Sequence, residues 1–216
     1  MVAITRVLRN PMSGLTHFIG ALLAVVGFVA LLMKSSAGSG WHLASYAIYG
    51  ATLIALYTTS TLYHWLPLRE SAVAVMRKLD HLMIFVFIAG TYTPICLTVF
   101  RGPWGWTMFG IIWGLAAAGF VSKFLWMNAP RPLYVGLYIA MGWTALIFMV
   151  PLARAMSHAG LMWLLAGGLL YSGGAVCYTL KRPDPFPGFF GFHEVWHLFV
   201  MAGSLAHYVM VYTLPV

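Results

Sequence analysis

Two histidines near the C-terminus have the spacing of a metal-binding helix. They lie in the segment His193-Glu194-Val195-Trp196-His197, so both rings project from one helix face. This is the H-E-x-x-H pattern, in which two histidines bind zinc and the glutamate acts as a general base. The pattern also describes two histidines that reach towards lipid headgroups at a membrane interface. The motif alone indicates a candidate metal site and leaves both interpretations open.

A second group of polar residues lies earlier in the chain. Ser60 and His64 have the same four-residue spacing, and Asp80 follows after a short basic segment. Each has an ordinary structural interpretation: Asp80 at a helix start is stabilised by the helix dipole, and the Ser60 hydroxyl can bond to the preceding turn. Together, however, they supply a third imidazole, a carboxylate and a hydroxyl.

The composition indicates which kind of element must position these residues. Of the 216 residues, 62% are hydrophobic and 7% are charged, whereas a soluble globular domain carries about 25% charged residues. This ratio excludes soluble enzymes, nucleic-acid-binding domains and disordered chains. The net charge of +8 comes from basic residues scattered at the ends of apolar runs, which is typical of membrane anchoring. The two cysteines lie in apolar stretches and predict no disulfide framework.

Long uncharged stretches divide the chain into seven parts. About 20 apolar residues cross a hydrocarbon core of about 30 Å, and lipid forces backbone groups to bond internally, so each stretch predicts a helix. We therefore predict an all-α polytopic membrane protein, a single seven-helix bundle over residues 1–216. The predicted spans are 14–33, 42–65, 80–100, 104–124, 133–153, 159–179 and 191–213.

The positive charges predict the orientation of this bundle. Of the 12 basic residues, three fall on the outer side of the membrane and the rest on the N-terminal side, so the N-terminus is predicted to be cytoplasmic and the C-terminus outside. The longest loop, about Pro67 to Leu79, is predicted to form an amphipathic segment on the membrane surface. The proline-rich segment 181–188 cannot be helical.

This topology brings the polar residues to one depth in the membrane. The second span ends in the cytoplasm and the third and seventh begin there, so His64, Asp80, His193 and His197 lie at one level. Zinc favours imidazole nitrogen, and catalytic zinc sites use three protein ligands and a water. The metal lowers the pKa of this water towards 7, and a carboxylate that hydrogen-bonds the water completes such a site. Iron and manganese also accept such ligands, so these residues do not identify the metal.

The combined motifs carry a family resemblance that covers essentially the whole chain. They are Ser60-x-x-x-His64, Asp80 after Lys-Leu, and His193-x-x-x-His197 with His207 downstream, together with Thr-His-Phe-Ile-Gly at 16–20 and Gly-Thr-Tyr-Thr-Pro at 90–94. The chain resembles the hemolysin III family, which belongs to the progestin and adipoQ receptor superfamily and is distantly similar to alkaline ceramidases.

The resemblance implies a seven-helix bundle with a cytoplasmic N-terminus. It also implies a zinc ion held by His64, His193 and His197, with Asp80 acting through a water and Ser60 close to it. The N-terminal domain of the eukaryotic receptors has no counterpart here, so adiponectin-like and steroid ligands are not expected. A bacterial origin and a location in the plasma membrane are expected.

Three further histidines are not expected to bind the ion. His17, near the inner end of the first helix, is near enough to support the site, but packing or a local cap is expected. His81 points about 100° away from Asp80 around the helix. His207 lies about 15 Å beyond His197 along the helix and is expected to be buried and hydrogen-bonded.

The leading functional hypothesis is zinc-dependent hydrolysis of a lipid-type amide or ester, contributing to membrane lipid or energy homeostasis. In it, Asp80 orients and deprotonates a water and Ser60 stabilises the developing oxyanion. The expected partners are membrane lipids and a lipid-like substrate or ligand, and no nucleic acid. The oligomeric state is not predicted.

Three alternatives stay open. The first alternative is a non-catalytic membrane sensor or regulator in which zinc only joins helices. The second is a hemolysin-type pore-former, although the sequence shows no amphipathic water-soluble form. The third alternative is an intramembrane protease with Glu194 as base. It is disfavoured because Asp80 precedes the H-E-x-x-H motif, whereas the aspartate ligand of such proteases follows it.

Overall fold

The computed structural model describes residues 8–126 and 128–216, and these residues form an all-helical bundle. The predicted fold class is therefore confirmed. Two short helices, Arg131–Gly142 and Met149–Ala155, are joined by a 3-10 segment, Trp143–Phe148, into one span, so the described residues form seven long helical elements. The helices are α1 Pro11–Ser35, α2 Gly40–Trp65, α3 Glu70–Leu97, α4 Pro103–Leu125, α5 Arg131–Gly142, α6 Met149–Ala155, α7 His158–Leu180 and α8 Phe192–Thr213.

Five of the helical elements are long and apolar enough to cross a membrane: α1, α4, α5–α6, α7 and α8. Helices α2 and α3 have 26 and 28 residues, which also suffices, but their composition is more polar. These are the helices that carry Ser60, His64 and Asp80. The two more polar helices therefore carry these three candidate functional residues, while His193 and His197 lie on the more apolar α8.

The outside of the bundle is apolar. Leu125, Ile147 and Val26 have exposed fractions of 77%, 76% and 69%, and many other large hydrophobic side chains are also exposed. In water this surface would drive aggregation, whereas in a bilayer it contacts acyl chains. The chain is an integral membrane protein.

The helices pack as a ring. Helix α1 lies between α2 and α8, α2 packs on α3, and α3 packs on α4. On the other side, α8 packs on α7, and α5 contacts α7, α3 and α4, which closes the ring. This order places the start of α1 beside the end of α2 and the start of α8.

Basic side chains contact neighbouring helices at the end of the bundle where α1 begins, here called the inner end. The Lys78 ammonium lies 5.2 Å from the Phe124 ring, and the Arg131 guanidinium lies 4.5 Å from the Tyr178 ring. The ends of α4 and α7 therefore meet the starts of α3 and α5, as the charge distribution predicted. Arg6 lies outside the described residues.

Two boundaries differ from the sequence prediction. The segment from about Pro67 to Leu79 is not a separate surface segment, because α3 begins at Glu70 and continues to Leu97 without a break. No glycine or proline interrupts this stretch after Pro67, so the helix extends beyond the predicted start of its span. The fifth predicted span is not one regular α-helix, because it changes to 3-10 geometry in its middle. Residues 182–188 contain no helix, as predicted.

Candidate metal centre

His64 is held at the end of α2 by the start of α1. The backbone N–H of Asn10 donates to the His64 carbonyl at 2.9 Å, and the Arg9 guanidinium donates to the Tyr63 carbonyl at 2.9 Å. These carbonyls belong to the last turn of α2, where backbone acceptors lack partners within the helix. The contacts therefore fix the end of α2 against α1, and His64 is buried there.

Glu194 follows the first histidine of α8 and has a structural role. One carboxylate oxygen accepts a hydrogen bond from the Gly191 backbone N–H at 2.8 Å, and the other accepts from the Ser13 hydroxyl. A carboxylate in the first turn pairs with free N–H groups and interacts favourably with the helix dipole. Because both oxygens are engaged, Glu194 attaches the start of α8 to α1. This arrangement favours a helix cap over the general base of the protease alternative.

The imidazoles of His64, His193 and His197 meet at the inner end of the bundle. One ring nitrogen from each lies within 4.8 Å of the others. The Nε2 atoms of His64 and His193 are 3.2 Å apart. Zinc–nitrogen bonds of about 2.0–2.1 Å in a tetrahedron separate ligand nitrogens by about 3.3 Å. The three residues predicted as metal ligands therefore converge with a spacing that fits one ion.

The hydrogen bonds of His197 determine which of its nitrogens is available to a metal. Its Nδ1 lies 3.2 Å from the Ser13 carbonyl oxygen and 2.9 Å from the Thr16 hydroxyl. That hydroxyl donates to the same carbonyl at 2.8 Å, so it accepts from Nδ1, which carries the proton. The Nε2 atom then holds the lone pair that a metal requires. An imidazole in this form can bind zinc and other first-row divalent ions.

Ser60 and Asp80 lie beside the three histidines and not among the clustered nitrogens. Both line a cavity that also reaches His193 and His197, and the Ser60 side chain interacts with Asp80. Ser60 is buried and Asp80 is half-buried. The structure therefore brings these two residues to the candidate site, while the catalytic and water-mediated roles assigned to them stay predictions.

The cavity leads from the histidines into the interior of the bundle. Its wall on α3 runs from Asp80 to Ile95, which is about 22 Å of helix at a rise of 1.5 Å per residue. Most of the cavity is lined by aliphatic and aromatic side chains. The Asp80 carboxylate and the imidazoles of His193 and His197 lie at its inner end. The cavity is therefore apolar along most of its length and polar at its inner end, a lining typical of small-molecule sites.

His17 reaches the site, although local packing or a cap was expected. Its ring stacks on His197 with centroids 3.6 Å apart and an interplanar angle of 11°, and it lines the cavity. The sequence contained an indication of this role, because His17 belongs to the segment 16–20 that carries part of the family resemblance. The contact could not be predicted because the rotation of α1 about its axis depends on its packing against α2 and α8.

Two other histidines lie where the sequence predicted. His81 is not in the cluster of three, and its Nδ1 donates to the Arg77 carbonyl at 2.7 Å. His207 is buried, and its Nε2 donates to the Leu164 carbonyl at 3.1 Å. Both line the cavity, and neither belongs to the cluster of His64, His193 and His197; that neither binds a metal stays a prediction.

Comparison with known proteins identifies the family. The family model described as haemolysin-III related matches residues 5–208. The chain belongs to this family. Haemolysin-III-related proteins similar to it include the hemolysin-3 homolog of Bacillus subtilis (strain 168), 36% identical over 200 residues and covering 92% of this chain and 91% of the relative. Hemolysin-3 of Bacillus cereus is 35% identical over 221 residues, covering 100% of this chain and 97% of the relative.

The chain also has a more distant similarity to a human protein. The human monocyte to macrophage differentiation factor is 28% identical over 202 residues, which cover 91% of this chain and 80% of that protein. The haemolysin-III-related chain thus lies within the progestin and adipoQ receptor superfamily, as the sequence resemblance predicted. The family assignment and the helical exterior agree that it is an integral membrane protein.

Proposed function

We propose that this protein is a zinc-binding membrane hydrolase that cleaves an amide or ester bond of a lipid. The observation that carries the proposal is that the cluster of His64, His193 and His197 meets the polar end of a long apolar cavity through His193 and His197. A lipid substrate enters such a site without leaving the bilayer. The function contributes to lipid or energy homeostasis of a bacterial plasma membrane.

The proposed roles follow from where the side chains lie. His64, His193 and His197 hold the zinc ion, which when bound acts as a Lewis acid and lowers the pKa of a water. Asp80 orients a water and accepts its proton. Ser60, which lines the same cavity and interacts with Asp80, donates a hydrogen bond to the oxygen where negative charge develops. The apolar wall holds the acyl chain and excludes bulk water.

A lipid assay tests the hydrolase proposal. Purified, zinc-loaded protein is incubated with long-chain amide and ester lipids, and released fatty acid is measured. We expect Asp80→Asn to lower the rate by about a hundredfold or more, because proton transfer by a positioned group contributes about 10²–10⁴-fold. Glu70→Gln is the matched control, since Glu70 is an exposed carboxylate on the same helix. Equal rates for Asp80→Asn and wild type would contradict the catalytic role.

A second candidate is a sensor or regulator with a structural zinc ion. The observation that favours it is that the three histidines come from two helices. His64 belongs to α2 and the other two belong to α8, so one ion would join the helices on either side of α1. In that case His197→Ala loses metal and unfolds at a lower temperature, while no lipid is hydrolysed by wild type. Liposome leakage in discrete steps would instead indicate the pore-former suggested by the name of the B. cereus relative.

A further inference from the structure

His17 lies between two rings at the inner end of α1. One face stacks on His197, with ring centroids 3.6 Å apart, and Tyr57 packs against it edge-on with centroids 5.0 Å apart. Gly20, one turn further along α1, makes room for Tyr57, because a Cβ atom there would lie 2.9 Å from the tyrosine ring. The position of the His17 ring is therefore defined by packing on more than one side.

The packing does not use the nitrogens of His17. Its side chain is 5% exposed, yet within the described residues neither Nδ1 nor Nε2 has a hydrogen-bond partner. A phenylalanine would make the same stacked and edge-on contacts without burying two unpaired polar atoms. Buried polar groups are nearly always hydrogen-bonded, so a ring with two unpaired nitrogens on a cavity wall indicates a partner that enters the cavity.

The neighbouring residues indicate the chemistry of that partner. His17 lines the same end of the cavity as Ser60, Asp80, His193 and His197, and the wall beyond is mostly apolar. An acyl lipid in this cavity places its carbonyl group at this end. A neutral imidazole has one N–H donor, and a carbonyl oxygen is an acceptor.

We propose that His17 is a ligand-binding residue that donates a hydrogen bond from its ring N–H to the carbonyl oxygen of an acyl lipid in the cavity. This inference rests on the proposed function for the identity of the ligand as a lipid. It assigns the recognition of the polar group to α1, in addition to the residues on α2, α3 and α8. His17 thus distinguishes lipids with a carbonyl group from hydrocarbon chains of the same length.

Binding of two probes to zinc-loaded protein tests the inference. The probes are a long-chain methyl ketone and the alkane of equal length, and the measured quantity is the ratio of their dissociation constants. We expect His17→Phe to reduce the preference for the ketone by about tenfold, equivalent to about 1.4 kcal/mol. His17→Gln, which keeps an N–H donor, is expected to retain part of the preference. His81→Phe is the matched control, since the His81 ring lines the same cavity but its Nδ1 already has a partner.

An infrared measurement keeps the inference testable if His17→Phe does not fold. A ¹³C-labelled ketone carbonyl bound to wild type should absorb at lower frequency than in an alkane solvent, and this shift should disappear in His17→Phe or, where that variant does not fold, in His17→Leu, which also lacks both ring nitrogens. Absence of the shift in wild type, or its persistence in a folded His17→Phe, would overturn the inference. An unchanged ketone preference in that variant would also overturn it. If wild type prefers the ketone, His17→Phe loses that preference and wild type hydrolyses no lipid, the hydrolase function is contradicted and the role of His17 is supported.

Discussion

At the scale of residues, the orientation of His197 is set by two residues of α1. The Ser13 carbonyl and the Thr16 hydroxyl both lie against its Nδ1, which leaves Nε2 for a metal. Such partners fix the tautomer and the direction of a metal-binding imidazole. Helix α1 therefore contributes to the candidate metal site without supplying one of the clustered ligands.

Replacing Thr16 tests this contribution. Thr16→Val keeps the shape of the side chain and removes the nearer of the two acceptors for the His197 Nδ1, so we expect zinc affinity to fall by about tenfold. Competition with a chelator of known affinity measures the change. Thr61→Val is the control, because the buried Thr61 hydroxyl donates to the Tyr57 carbonyl of its own helix and, within the described residues, to no group of the site. Equal zinc affinity of Thr16→Val and wild type would show that Thr16 does not orient the ligand.

At the scale of helical elements, close contact between α1 and α2 depends on small residues of α1 opposite aromatic residues of α2. A Cβ atom on Gly14 would lie 2.0 Å from the Trp65 ring. The same indole donates to the Pro11 carbonyl at 3.0 Å. These contacts set the rotation and depth of α1 relative to α2, and hence the position of the residues that α1 brings to the site.

Adding a methyl group at this contact should separate the two helices. We expect Gly14→Ala to lower the free energy of unfolding by about 1–3 kcal/mol, because overpacking displaces the rigid indole. Thermal unfolding in detergent measures the effect. Gly110→Ala is the matched control, since nothing lies within 4 Å of a Cβ there and alanine favours a helix by up to about 1 kcal/mol. A Gly14→Ala variant as stable as Gly110→Ala would contradict the close packing.

The 3-10 segment between α5 and α6 is attached to α3 by one hydroxyl. The Tyr92 hydroxyl accepts from the Ala145 backbone N–H at 3.0 Å and donates to the Gly142 carbonyl. Both backbone groups lie at the change of helical geometry, where regular helix bonds are interrupted. In lipid such groups must find another partner, and Tyr92 supplies it.

Removing this hydroxyl should destabilise the bundle. We expect Tyr92→Phe to lower the free energy of unfolding by about 1–3 kcal/mol, because buried backbone groups lose their partner. In Tyr46→Phe the lost hydroxyl has no hydrogen-bond partner within the described residues, so stability should be unchanged or slightly higher. Unfolding of both variants under identical detergent conditions gives the comparison. Similar losses in the two variants would mean that the attachment of the 3-10 segment is not the cause.

At the scale of the whole molecule, a bound ion would connect helices that are far apart in the chain. His64 precedes the histidines of α8 by more than half of the sequence, and α1 packs between α2 and α8. A metal that binds only the folded state stabilises it by mass action. Metal occupancy is therefore expected to affect the stability of the bundle as a whole.

Metal removal measures this effect. We expect chelation to lower the unfolding temperature and zinc to restore it, since free metal at 1,000 times the dissociation constant contributes about 4 kcal/mol. A variant with both His193→Ala and His197→Ala should contain no stoichiometric metal by elemental analysis and should not respond to chelator. A metal-free wild type after gentle, chelator-free purification would contradict the metal site. A chelator response of the double variant would place the ion elsewhere.

The sequence alone determined the class of protein, its seven helical elements, the presence of polar residues at one end and the three clustered histidines. Composition and spacing suffice for this because each residue type has a defined cost in lipid, and chain direction alternates at every span. The predicted cytoplasmic position of that end is not tested by the fold. The roles of Asp80 and Ser60 also stay predictions.

Only the tertiary structure decided how the helices face one another. The stacking of His17 on His197, the tautomer of His197, the cap at Glu194 and the 3-10 segment held by Tyr92 depend on the rotation of each helix about its axis. That rotation follows from contacts between distant residues, such as Gly14 and Trp65, and not from local spacing. In a helix that is apolar on every side, hydrophobic periodicity does not mark the buried face, so packing alone selects it.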